Sequence, residues 1–243
     1  MALPILGIFL GILITLGGTM TTLALIAVII EELYRYFFGK KIAIIGERAT
    51  GKTKLWEFLS KGVISKDYLQ TQSAEKVEVK DLHLKDLELT LKESQIDVPG
   101  GWDFVESWIN LARESDFVFF LFRLPCIYNS EDSCRLSCPF KNMLLCEGRR
   151  DYIKKTEIAL KKIKDNYLVH KTVLVGTFAD YVNDYIELER NGKEGNFHEK
   201  FIKSIDYNFS NLIKDFKIVF GSLKDTSSAE KLTVKIFKKA MER

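Results

Sequence analysis

The densest group of chemistry-bearing residues runs from Gly46 to Thr53 and reads Gly-Glu-Arg-Ala-Thr-Gly-Lys-Thr. It is a complete G-x-x-x-x-G-K-[ST] pattern. Gly46 and Gly51 permit a tight turn, so that the N–H groups of Glu47, Arg48, Ala49, Thr50 and Gly51 can converge on phosphate oxygens. A helix starting there adds the positive end of its dipole. Lys52 is placed to reach β- and γ-phosphates, and the Thr53 hydroxyl to coordinate Mg²⁺. Such a loop needs a strand before it and a helix after it. Ile42–Ile45 is a short, β-prone apolar run, and Lys54–Leu59 reads as a helix start.

Further along, polar residues again fall at the ends of predicted elements. Thr71 lies in a loop after the first helix. Two alternating segments, Lys76–Leu84 and Leu87–Gln95, predict a hairpin that runs into Asp97-Val-Pro-Gly100. A helix over Trp102–Arg113 and an apolar strand over Phe117–Leu124 follow. The strand in Lys171–Asp180 ends in Thr177-Phe178-Ala-Asp180. Lys217–Phe220 leads to Ser222-Leu223-Lys224. Ser227-Ser-Ala-Glu230 has the form of a capping box. Leu232, Ile236, Phe237, Ala240 and Met241 then share one helical face.

In order and placement, these motifs resemble those of the Ras/Arf-like small GTPases over about residues 40–243. The resemblance implies an α/β P-loop NTPase fold, a small G domain with about six mostly parallel strands and helices on both faces. It implies that Thr71 closes on Mg²⁺ and the γ-phosphate, that Asp97 holds Mg²⁺ through water, and that the Gly100 N–H senses the γ-phosphate. Asp180 would accept hydrogen bonds from guanine N1 and N2. Thr177 stands at the head of that base-reading motif, and Phe178 replaces the family's Lys, offering a phenyl face to a purine. The main-chain N–H groups of Ser222 and Leu223 would contact guanine O6. Arg48 stands where many Ras-like proteins have Gly, and either stabilises transition-state charge in cis, crowds a partner's Arg or points to solvent. Gly101 follows Gly100 where active members commonly carry a water-orienting Gln, which implies slow intrinsic turnover. The bound nucleotide would be GTP or GDP. The expected activity is a weak GTPase acting as a switch, with a protein effector or membrane partner. A nucleotide-locked scaffold and a P-loop ATPase are the alternatives.

The rest of the chain positions this domain. Of 243 residues, those from Ala2 to Ile30 carry no charged side chain, although charged residues make up 28% of the whole. At 1.5 Å per residue this run spans about 43 Å as a helix, enough for one bilayer crossing and too short for two. We therefore expect a transmembrane anchor over residues 1–30, with residues 2–30 in the lipid bilayer, a linker over 31–39 and the G domain over 40–243. Arg35, Lys40 and Lys41 on its carboxyl side place the domain on the cytoplasmic face of a single-pass protein. An anchor directly before such a domain is also similar to the layout of the signal recognition particle receptor β subunit. A net charge of +3 gives no reason to expect nucleic acid as a partner.

An insertion over residues 126–150 holds all four cysteines, Cys126, Cys134, Cys138 and Cys146, spaced C-x7-C-x3-C-x7-C. A Cys₄ zinc site, disulfides and free thiols all remain open for it. His83, His170 and His198 form no metal pattern. The amphipathic helix expected over residues 151–167 puts Ile153, Ile158, Leu160 and Ile163 near one face.

Overall fold

A computed structural model of the chain describes residues 41–64, 75–77, 82–84, 87–89, 95–97, 102–128 and 149–242. Strand β1 (Ile42–Gly46) leads through a loop into helix α1 (Lys52–Lys61). Four three-residue strands follow: β2 (Glu75–Val77), β3 (Leu82–Leu84), β4 (Leu87–Leu89) and β5 (Gln95–Asp97). A 3₁₀ turn at Trp102–Phe104 opens α2 (Val105–Glu114). Then come β6 (Phe117–Arg123), the short α3 (Leu124–Ile127), α4 (Arg149–Asp165) and β7 (Thr172–Thr177). Three short helices, α5 (Asn183–Arg190), α6 (Phe197–Ser204) and α7 (Tyr207–Ile213), precede β8 (Lys217–Phe220) and the closing α8 (Thr226–Met241).

Among the described residues the main sheet has four strands in the order β1-β6-β7-β8, all parallel. This corrects the expectation of about six strands in one sheet. The hairpin region is divided: β3 pairs with β4, and β2 with β5, both antiparallel. β5 lies beside β1 and α1 and, among the described residues, does not join the main sheet.

Parallel strands are covered on both faces, so they read as continuous apolar runs. β1, β6 and β7 are buried throughout. Alternate residues divide between two cores. Ala43, Ile45, Val118 and Phe120 pack with Trp108 and Ile109 of α2 and with Leu160 and Ile163 of α4. Ile42, Ile44, Phe119 and Leu121 pack with Leu55 and Trp56 of α1 and with Leu232, Ile236 and Phe237 of α8. Helices therefore lie on both faces of the sheet.

Two local expectations need correcting. α8 starts at Thr226, and its N-cap is Asp225, whose carboxylate accepts from the Ser228 N–H at 2.8 Å. The capping residue thus lies two positions before Ser227, because an aspartate already stood at the end of the loop from β8. On α4, Ile158 does not share the buried face: it is 48% exposed, whereas Leu160 and Ile163 are buried and Ile153 packs against the core.

The expected anchor falls in residues 1–40, outside the described residues. Among the described residues no helix is long and apolar enough to cross a membrane.

Candidate functional site

All four parallel strands end on the same side, and ligands of open α/β sheets bind outside those carboxyl ends. The Gly46–Thr53 loop, Arg123, Thr177–Asp180 and Gly221–Leu223 all lie at that end.

Gly46 closes β1 at φ 138°, directly opposite Leu121 of β6. A Cβ at this position would stand 2.2 Å from the Leu121 carbonyl oxygen, so only glycine lets the loop leave the sheet here. Ala49 has φ 53° and Gly51 φ 91°, and this left-handed geometry rolls the chain into α1. A Cβ on Gly51 would meet Leu223 Cδ1 at 2.8 Å. Leu223 therefore packs straight onto the loop, which joins the Ser222–Leu223 segment to the Gly46–Thr53 turn.

The loop is tied internally by polar side chains. The Thr50 hydroxyl donates to the Glu47 carbonyl at 2.9 Å. Lys52, in the first turn of α1, is buried, and its ammonium donates to the carbonyls of Gly46 at 3.0 Å and Glu47 at 2.9 Å. The charge thus lies within the turn that the loop makes. Glu47 is also buried, and its Oε1 accepts from the Arg48 N–H at 2.8 Å. Arg48 is on the surface, and Thr53 is half-buried in the first turn of α1.

β7 braces the loop from beneath. The buried Thr177 hydroxyl contacts the Thr50 carbonyl at 2.9 Å and the Phe122 carbonyl at 3.0 Å. The following turn is joined to the end of β8: Gly221 N donates to Gly176 O at 3.0 Å, and Ala179 N to Gly221 O at 3.1 Å. Phe178, at φ 60°, packs partly into the core, with its ring centroid 6.2 Å from that of Tyr181. Asp180 Oδ1 is buried and has no hydrogen-bond partner among the described residues. A buried carboxylate oxygen in this condition is costly unless a donor reaches it. The two donors on one edge of guanine suit that requirement. The Ser222 hydroxyl oxygen accepts from Lys224 N at 3.1 Å.

The residues predicted around the loop are thus brought together, with three exceptions. Asp97 closes β5, but its side chain lies outside the described residues. Thr71 and Gly100 lie wholly outside them. Of the four cysteines only Cys126 is described, buried in α3. Among the described residues no cluster of three or more metal-ligating side chains is found.

Sequence reasoning did not single out Arg123. It ends β6 with 3% exposure. Its guanidinium lies 4.2 Å from the centroid of the Tyr152 ring, and the Arg123 main-chain N–H donates to the Tyr152 hydroxyl at 2.9 Å. Burial pushes the Arg123 pKa down, but Tyr152, Cys126 and the Glu47 carboxylate outweigh it and hold the group above its ordinary value. Burial pushes the Tyr152 hydroxyl up to about 12, against the opposing effect of Arg123. A buried cation thus sits at the base of the loop. An arginine after an apolar strand ordinarily reads as solvent-facing, so no sequence signal marked it.

No family model matches the chain, and no curated protein does. Among solved structures the chain is similar to translation elongation factor SelB from Methanococcus maripaludis in complex with the GTP analogue GppNHp. Identity is 16% over 84% of this chain and 34% of that one, with a TM-score of 0.46. The chain thus spans about a third of that protein's length, and a likeness of this degree carries no weight in assigning an activity.

Proposed function

We propose that the chain binds a guanine nucleotide through the Gly46–Thr53 loop and acts as a slow GTPase switch on the cytoplasmic face of a membrane, anchored by residues 2–30. The observation that carries the reading is the loop itself. A glycine-bounded turn between a buried strand and α1 holds the Lys52 ammonium against its own carbonyls. Asp180 supports guanine as the base, through a buried oxygen awaiting a donor.

The chain's residues have distinct tasks in this reading. Loop N–H groups and Lys52 neutralise the phosphates and hold them in line. Thr53 and Asp97 would hold Mg²⁺, with Thr71 as a third candidate; the ion supplies charge neutralisation at the phosphate oxygens. Thr177 keeps the loop in register with the base-reading turn. Gly101, lacking a side chain, cannot orient water, which supports slow hydrolysis without a partner.

The test is equilibrium binding of labelled GTP and ATP to the full chain and to Lys52→Ala, with Mg²⁺ present. The reading expects Mg²⁺-dependent GTP binding that Lys52→Ala weakens by about a hundredfold or more. Preferential ATP uptake would convert it to the ATPase alternative. Equal, negligible uptake of both nucleotides by parent and variant would end it.

A further inference from the structure

We propose that the buried charges of Glu47 and Arg123 set how strongly the loop grips the phosphates of a nucleotide. The proposal rests on the nucleotide-binding reading and goes beyond it by naming two specificity-determining side chains that the loop motif does not prescribe.

Among the described residues three charged side chains are buried, Glu47, Lys52 and Arg123, and all three lie at this loop. Burying a charge is costly unless an opposite charge or hydrogen bonds answer it. The Lys52 ammonium is answered by main-chain oxygens, the Gly46 carbonyl at 3.0 Å and the Glu47 carbonyl at 2.9 Å. These are neutral groups, so they hold its charge in place without cancelling it. Glu47 and Arg123 carry opposite charges, and the β1–β6 register brings them to the same end of the sheet. Gly46 lies opposite Leu121, one residue before Glu47 and two before Arg123. Burial works against the Arg123 cation, and Tyr152, Cys126 and the Glu47 carboxylate hold it. Arg123 also stands opposite Thr177 in the β6–β7 ladder, whose hydroxyl reaches Thr50 O in the loop at 2.9 Å. On the loop side, Glu47 Oε1 accepts from the Arg48 N–H at 2.8 Å. The carboxylate is thus tied to the main chain of the same turn that the phosphates would enter.

Two buried cations and one buried anion leave this turn with a net charge of +1. Removing the anion raises it to +2, and removing Arg123 lowers it to 0. A nucleoside triphosphate brings several negative charges and a nucleoside none. A unit charge acting over about 10 Å, at an effective dielectric constant of about 20, changes the affinity for another charge by about tenfold. Salt screens buried charges much less than exposed ones. The pair therefore acts on the phosphates rather than on the base. A carboxylate in an anion-binding turn weakens the grip that Lys52 and Arg123 would otherwise exert, which lets a bound nucleotide leave.

The test is equilibrium binding of labelled GTP and labelled guanosine to the full chain in detergent, at one ionic strength and with Mg²⁺ present. Glu47→Gln keeps an oxygen for the Arg48 N–H and removes the charge. Arg123→Met keeps an unbranched stem and removes the cation. The proposal expects Glu47→Gln to tighten GTP binding by about tenfold and Arg123→Met to weaken it by about tenfold or more. The double variant should recover most of that loss, and guanosine should move by less than about twofold throughout. A purely structural pair would instead weaken both ligands together in each single variant. If Arg123→Met does not fold, Glu47→Gln decides alone, because only the charge effect tightens GTP binding and spares guanosine. If the parent binds GTP and Glu47→Gln leaves that affinity unchanged, lowers it, or shifts guanosine equally, the proposal fails and the nucleotide reading stands. If the parent takes up neither ligand, both fail.

Discussion

Thr177 and Thr50 are separated by 127 residues, yet the hydroxyl of one lies 2.9 Å from the carbonyl oxygen of the other. The same hydroxyl reaches Phe122 O at 3.0 Å, so one proton is shared across three elements: the Gly46–Thr53 loop, β6 and β7. Thr177→Val keeps the shape and removes the donor. It should destabilise the fold by about 1–3 kcal/mol, because two buried carbonyls lose it. Nucleotide affinity should fall with it, as the loop loses its brace. Denaturant midpoints and GTP binding, measured together, check both effects. An unchanged midpoint would show that the brace is dispensable.

The close approach of Gly46 to Leu121 sets a second expectation. Gly46→Ala places a methyl 2.2 Å from a main-chain oxygen and forces φ 138° on an L side chain. Relieving the clash would part β1 from β6 at the end of their ladder. The cost should exceed about 3 kcal/mol, and the variant should be largely unfolded by circular dichroism. Gly62→Ala, also at positive φ but with open space around it, should cost only about 1 kcal/mol.

How much of this was legible in the sequence follows from which features carry their own geometry. The Gly46–Thr53 loop was legible because glycine and lysine at that spacing have one structural use. α8 was legible because Leu232, Ile236, Phe237 and Ala240 repeat at the helical period, and all four are buried. The helices over residues 183–213 were not legible. They are short, α5 and α6 are rich in charge, and these two hold their places through Tyr185 packing on Phe197 and through Phe197 and Phe201 packing on Phe220, contacts between residues distant in sequence. Arg123 and the Thr177 brace were invisible for the same reason: each is defined by a partner brought near only by the sheet.

Asp184 gives a pH dependence. Burial pushes its carboxyl up, but bonds from Lys200 and Tyr128 outweigh this and hold it below the usual carboxylate range. The folded state therefore binds the carboxylate form more tightly than the unfolded chain does. This stabilisation is fully present above the unfolded value near 4 and is lost as pH falls through the folded one. Asp184→Asn should flatten that acid limb of the stability curve and leave its slope above pH 6 unchanged. Thermal unfolding from about pH 3 to 7 reads the difference.

The residue that ends α4 offers a stability test of its own, for Tyr167 has φ 59° and is 86% exposed. Its left-handed backbone costs an aromatic residue about 1 kcal/mol relative to glycine. Tyr167→Gly should therefore fold as well as the parent or better in detergent, by up to about 1 kcal/mol. A loss of stability would mean that the exposed ring contributes to the fold after all.

Base recognition is the most demanding part of the proposed function. Asp180 Oδ1 is buried without a partner among the described residues, in a turn held to β8 by the Ala179–Gly221 bond. If guanine supplies the missing donors, Asp180→Asn replaces an acceptor with a donor and sets it against guanine's N–H groups. Two charge-assisted bonds are lost, which should weaken GTP binding by about a hundredfold or more. Xanthine presents an acceptor where guanine has its amino group, so the variant should gain xanthine nucleotide affinity as it loses GTP. Competition of GTP, XTP and ATP against one labelled nucleotide reads all three. A parallel loss of every nucleotide would instead place Asp180 in the support of the turn, and the choice of base would then rest on Phe178 and the main chain at Ser222 and Leu223.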